Sequence, residues 1–379
     1  MLNNMLSPEE QASVDAWNEH GIEVTDLTMK KSLPAWFGNI RSLIQANIPM
    51  QSIEDLATQY ADRKHIVVLG SGPSIPTIVA NLPRDDKSRM LICGPTAVAS
   101  LLVAKLQPDI IMVADSSPAQ YANIRDLQID NIAEYKIALP VTADKSWYDS
   151  DSIFKPSQLY FYLPYLDYEG SADLAYNDIL HILFPDVHRW IKQAGSVGNA
   201  MVMFADMICL DDASKRIYLG IDCCGWLSSL PQLRTSYATK QADGSYTPVF
   251  TDSQRVQNAE DTEYAMRITA NPCDLQVNLV SLGYAIQMLY FIHFSENSNP
   301  THSERFVMLI EASRLPIAVK DVDVDLPLLH AYEVGMDVVL PKTENWAYRI
   351  MLKLIELSNK HKKYLIAKEA EDVKESHKD

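Results

Sequence analysis

Residues 65–76 read HIVVLGSGPSIP. Ile66, Val67 and Val68 are β-branched and favour a strand. The two glycines that follow permit a tight turn, and Ile75 opens what reads as a helix. The figure repeats down the chain. IPTIVANL, RMLICG, TAVASLLVAKL, DIIMVAD, PAQYANIRDL and KIALPV alternate short apolar runs with helical segments as far as Val141. Such alternation predicts an α/β domain, a mostly parallel sheet whose strands are joined by crossover helices.

Around this block the organisation is less uniform. Residues 1–64 read as an amphipathic helical lead-in, with Ser7-Pro8-Glu9-Glu10 as a helix start and apolar positions at helical spacing from Leu33 to Ala61. Thr142 to Trp190 is irregular and rich in aromatics, and QLYFYLPYL within it predicts one further strand with an inserted loop. SVGNAMVMFADMICL then reads as a helix feeding the strand RIYLGIDCCGW. From Leu227 to Asp274 the chain is polar, with Gln241 to Ser245 a hairpin-like tip, and a loop of that size usually covers a site. A long apolar helix over Val277–Phe294, a strand FVMLIEA and a closing helix from Glu344 to Ala370 complete the pattern, before a frayed charged tail. The expected division is 1–64 lead-in, 65–226 α/β domain, 227–343 lid or acceptor-side region, and 344–379 C-terminal helix and tail.

The 379 residues are 47% hydrophobic, enough for a well-filled core. With 33 Lys and Arg against 49 Asp and Glu, the net charge of -16 repels nucleic-acid phosphates on average, and no basic patch precedes the C-terminal tail. The first residues lack the basic and apolar regions of a secretory signal, so a cytoplasmic location is expected. Leu275–Phe294 carries Gln276, Asn278, Ser281, Gln287 and His293, which predicts a buried helix and not a membrane span. The five cysteines, Cys93, Cys209, Cys223, Cys224 and Cys273, have no zinc-like spacing and read as reduced, buried thiols.

Candidate chemistry gathers at the predicted strand ends. Gly70-Ser71-Gly72-Pro73-Ser74 lies between a strand and a helix, where backbone N–H groups can approach a phosphate; read alone, it is equally a plain turn. Ile75 stands where the third glycine of G-x-G-x-x-G would be, and G-K-[ST] is missing, so neither a standard dinucleotide fingerprint nor a P-loop is present. Gly195-Ser196-Val197 opens a second helix and Gly94-Pro95-Thr96 follows a third strand. Asp115 and Asp222 end two more, where each could accept ribose hydroxyls, support magnesium, or simply cap the next turn. In a parallel sheet all five fall at the carboxyl edge. Of the histidines, His181, His188, His293, His302 and His330 are candidates for proton transfer, but none sits in a catalytic motif, so no catalytic residue is assigned.

Taken together, these segments resemble the MptE-like 6-hydroxymethylpterin diphosphokinase family, which includes the central domain of the motility accessory factors that glycosylate flagellin. Five elements match in order over Ile53 to Trp226: Gly70, Gly72, Pro73 and Ser74; Gly94, Pro95 and Thr96; Pro108, Asp109 and Asp115; Gly195, Ser196 and Val197; Gly220 and Asp222. Pro95-Thr96 stands where threonine-alanine is commoner, and Cys223-Cys224 replaces a leucine-alanine-like continuation. The resemblance implies a Rossmann-like domain binding an activated nucleotide. It offers two chemistries: transfer of a sugar from a cytidine monophosphate carrier, in the manner of bacterial sialyltransferases, or ATP- and magnesium-dependent diphosphate transfer with Asp115 or Asp222 supporting the metal. The lead-in and the long segment after Asp222 favour the glycosyltransferase branch. A non-catalytic nucleotide-binding scaffold is the third reading. The acceptor and the oligomeric state are not legible.

Overall fold

The alternation that begins at His65 folds into a parallel sheet. The computed structural model describes residues 8–63, 65–71, 75, 79, 82–84, 86–166, 174–192, 197–208, 215–219, 225–226, 237–249, 275–276 and 306–309. The first strands in chain order are β1 (Gln51–Ser52), β2 (His65–Leu69), β3 (Arg89–Cys93), β4 (Ile110–Met112), β5 (Lys136–Pro140), β6 (Leu159–Tyr165) and β7 (Trp190–Lys192). β8 (Lys215–Leu219), β9 (Gly225–Trp226), β10 (Tyr237–Lys240), β11 (Tyr246–Val249), β12 (Leu275–Gln276) and β13 (Phe306–Leu309) follow. The helices are α1 (Pro8–Ala46), α2 (Ile53–Gln59), α3 (Val98–Val103), α4 (Pro118–Arg125), α5 (Leu174–Leu183) and α6 (Val197–Ile208).

Nine strands form one sheet in the order β1-β6-β5-β4-β3-β2-β8-β13, with β7 also on β6. Every pairing in it is parallel. The architecture is therefore the expected Rossmann-like α/β one, with six inner strands from β6 to β8. The chain steps outward from β2 to β6, then returns to place β8 on the other side of β2. Because crossovers between parallel strands are right-handed, that reversal puts α6 on the face opposite α3 and α4. On its own face α6 packs against α2, β2, β3 and β8.

The strands from β2 to β6 are buried on both faces, which explains their apolar runs. Val67, Val68, Leu69, Ile92, Cys93, Ile110, Ile111 and Met112 have no accessible surface. Cys93 is a free, buried thiol, as expected, and burial pushes its pKa up. The other four cysteines lie outside the described residues.

Three elements escaped the sequence reading. α5 and β7 lie within the aromatic-rich stretch after Thr142, which carries two strands and not one. The N-terminal segment is more than a lead-in, because β1 joins the sheet. β1 pairs Gln51 and Ser52 with Tyr160 and Phe161, while β7 pairs Trp190 to Lys192 with Leu163 to Tyr165. Two short strands thus lie end to end along one side of β6. Leu275–Gln276, expected at the start of a buried helix, is instead a strand antiparallel to β9. The remainder of that helix, the closing helix and the tail lie outside the described residues. Among the described residues no helix is long and apolar enough to cross a membrane.

β10 and β11 form the hairpin expected around Gln241–Ser245. Gly244 takes φ +80° at its tip, a conformation that favours glycine. The hairpin packs on α3, and Lys240 pairs with Asp130 while Tyr246 Oη donates to the Gln128 carbonyl at 3.3 Å. Residues 128–130 precede β5, so the hairpin tip stands at the amino edge of the sheet, away from the carboxyl edge.

Candidate functional site

In an open parallel sheet, ligands bind outside the carboxyl ends of the strands where the order of connections reverses. Here that point lies between β2 and β8. Leu69 is in register with both Cys93 and Leu219. The Gly70 N–H donates to the Leu219 carbonyl at 2.8 Å, so the first glycine turn leaves β2 while still bonded to the end of β8. Gly70 is buried and Ser71 half-buried.

One strand over, β3 delivers Gly94. Its backbone is extended, φ -82° and ψ 163°, so no left-handed geometry calls for glycine there. Close approach does. A Cβ at Gly94 would stand 3.1 Å from Cγ1 of Val197, the first residue of α6. Gly94 and Val197, one residue from each of two sequence motifs, therefore meet at the carboxyl edge. Pro95 is buried at the first position of a short helical turn, and Thr96 is half-buried.

At β4 the strand ends at Met112, three residues before Asp115. The Asp115 side chain is exposed; its Oδ1 accepts from Ser117 N–H at 2.8 Å and its Oδ2 from Gln120 Nε2 at 3.4 Å. Ser117 caps α4, its Oγ accepting from Ala119 N–H. Of the two local roles weighed for Asp115, it closes the turn before α4 while Ser117 caps the helix, and this fixes the carboxylate at the rim. Both oxygens thus already accept one hydrogen bond each from the chain itself. Among the described residues no group of three His, Cys, Asp or Glu side chains comes together. Asp115 would hold magnesium only through water or with a second carboxylate.

Gly72, Pro73, Ser74, Gly195, Ser196, Gly220 and Asp222 lie outside the described residues. Asp109, matched in the third motif, is not at this edge. It precedes β4 at the amino edge, where its Oδ2 accepts from Leu91 N–H at 2.7 Å and its own N–H donates to the Leu91 carbonyl at 2.9 Å. Burial, foremost, raises its pKa, against the lowering pull of that hydrogen bond and of Arg63 and Arg89. It ties β3 to β4 and takes no part in the candidate site. His181 sits on α5 with its ring 6.2 Å from that of Trp190 in β7, and β5 and β6 separate β7 from β4. His188 is an exposed residue just before β7, and His293, His302 and His330 lie outside the described residues.

The sequence reading missed a contact from the N-terminal helix to this edge. Asn39 of α1 reaches the carboxyl ends of β4 and β5, where its Nδ2 donates to the Thr142 carbonyl at 2.9 Å and the Ser116 carbonyl at 3.3 Å. Tyr148 Oη donates to the Asn39 carbonyl at 3.2 Å. Leu33 and Trp36 pack on the core, and Ile40 and Leu43 are buried in it. Their 3- and 4-residue spacing in the sequence was the available signal that this half of the helix is seated.

No protein-family model matches the chain, and no curated protein matches it. Among solved structures it is similar to the MAf glycosyltransferase from Magnetospirillum magneticum AMB-1, with a TM-score of 0.39 and 13% identity. That match covers 82% of this chain and 43% of the other, so the chain spans less than half of that protein's length.

Proposed function

We propose that this chain binds an activated nucleotide at the β2–β8 switch point and transfers a sugar from it, using a donor of the cytidine monophosphate-nonulosonate type. The observation that carries the nucleotide reading is the gathering of Gly70, Gly94, Val197 and Asp115 along one carboxyl edge, around the reversal in strand order. In this reading the turns at Gly70–Ser74, Gly94–Thr96 and Gly195–Val197 hold the donor phosphate through backbone N–H groups. Asp115 and Asp222 orient the ribose or base. The choice of a sugar donor rests on the sequence resemblance given above. Such a transfer draws mainly on positioning and on stabilising charge at the leaving phosphate, so it demands little covalent work from the protein.

A thermal-shift titration tests this reading. Stabilisation by cytidine nucleotides without metal supports it, whereas stabilisation by ATP only with magnesium supports the diphosphokinase. Asp115→Asn keeps an oxygen for the Ser117 N–H and removes the charge. It is expected to weaken the nucleotide response and abolish turnover while leaving the unliganded melting temperature close to wild type. Full turnover in that variant would place the site elsewhere, and unchanged modification in a cell-based assay without turnover by the purified chain would favour the non-catalytic scaffold.

A further inference from the structure

In a bare parallel sheet the carbonyls just beyond β4 and β5 would be open acceptors at the ligand-binding edge. Here they are taken. The Asn39 amide donates to both, and Ser116 Oγ donates to Thr142 Oγ1 at 2.9 Å, so the ends of two adjacent strands are stapled by a helix 77 and 103 residues upstream. Thr142 is only 2% exposed. The loop so held is the one that carries Asp115, whose carboxylate is in turn fixed by Ser117 and Gln120.

Resting on the nucleotide reading, we propose that α1 forms the outer wall of the crevice, confining the ligand to the span from β4 to β8, and that Asn39 is a positioning residue that presents the Asp115 loop to it. α1 does not depend on Asn39 for its seat, because Ile40 and Leu43 anchor it in the core. Removing the amide should therefore release the loop and leave the helix in place.

The experiment compares wild type, Asn39→Ala and Tyr148→Phe in the full chain. Hydrogen exchange is followed over residues 114–118, together with cytidine monophosphate affinity and the unliganded melting temperature. Tyr148→Phe removes a bond to the helix backbone and spares the amide staple, so it reports a purely structural loss. Asn39→Ala should speed exchange at 114–118, leave 65–69 as in wild type, and weaken cytidine monophosphate roughly five- to tenfold. Tyr148→Phe should lower the melting temperature without that loss of affinity. Equal exchange in Asn39→Ala and wild type overturns the positioning role of Asn39, as does faster exchange with unchanged affinity. A wild-type protein that ignores both cytidine monophosphate and ATP with magnesium overturns the nucleotide reading itself, a different result from a wild type and an Asn39→Ala that bind equally well.

Discussion

Gly94 and Asp109 show how differently two residues of one sequence pattern can be used. Adding a methyl group at Gly94 sets two effects against each other. At φ -82° alanine would gain about 0.4–1 kcal/mol by restricting the unfolded chain, but the new Cβ would press on Val197 Cγ1, a side chain stiff about χ1. Overpacking costs roughly 1–3 kcal/mol and wins. Gly94→Ala is therefore expected to lose about 1 kcal/mol in denaturant unfolding. In a double-mutant cycle, Val197→Ala should recover part of that loss with a coupling of at least roughly 0.5 kcal/mol, and strict additivity would sink the close-approach argument. Asp109 titrates in the opposite sense from a salt-bridged carboxylate. Its folded pKa lies above the unfolded one, so the folded chain keeps the proton where the unfolded chain has released it, and its contribution to stability falls as pH rises through that span. Asp109→Asn retains an acceptor for Leu91 N–H. Urea unfolding should show it gaining on wild type as pH rises above about 4, near the ordinary aspartate value. A trend of the opposite sign would mean that Arg63 and Arg89 outweigh burial.

At the scale of elements, the strands that could be read from sequence are those whose burial on both faces leaves an unbroken apolar run, such as Ile66 to Leu69 and Leu91 to Cys93. β1 and β7, two and three residues long, have no pattern to read. The Gly70, Gly94 and Asp115 turns were legible because strand ends and glycines mark them. The Asn39 staple was not, since it joins residues 77 and 103 positions apart, and only topology brings them together. The hairpin lies between these cases. Asp243-Gly244 signals its turn, with Asp243 Oδ1 accepting from Ser245 N–H at 3.0 Å, but nothing local says that it docks on α3. Since its tip stands at the amino edge, Lys240→Ala is expected to cost less than about 1 kcal/mol, the worth of a pair whose partner Asp130 is largely exposed. The thermal response to nucleotide should be unchanged. A lost response would place the hairpin in the site.

At the scale of the whole molecule, the N-terminal segment and the sheet stand or fall together. Deleting residues 1–52 would remove β1 and the anchors Ile40 and Leu43, leaving part of β6 as an unpaired edge. The expected outcome is aggregation in size-exclusion chromatography; a monomeric, nucleotide-responsive truncation would refute that dependence. The two-piece strand beside β6 also has a consequence in time. Gln51 leaves the ribosome 109 residues before its partner Tyr160, and at about 5–20 residues per second that is a delay of roughly 5–20 s. For that interval α1 is already synthesised while the sheet it lies on is still incomplete. Until the sheet is complete its Ile40 and Leu43 face water, the condition under which a chaperone takes hold of a nascent chain.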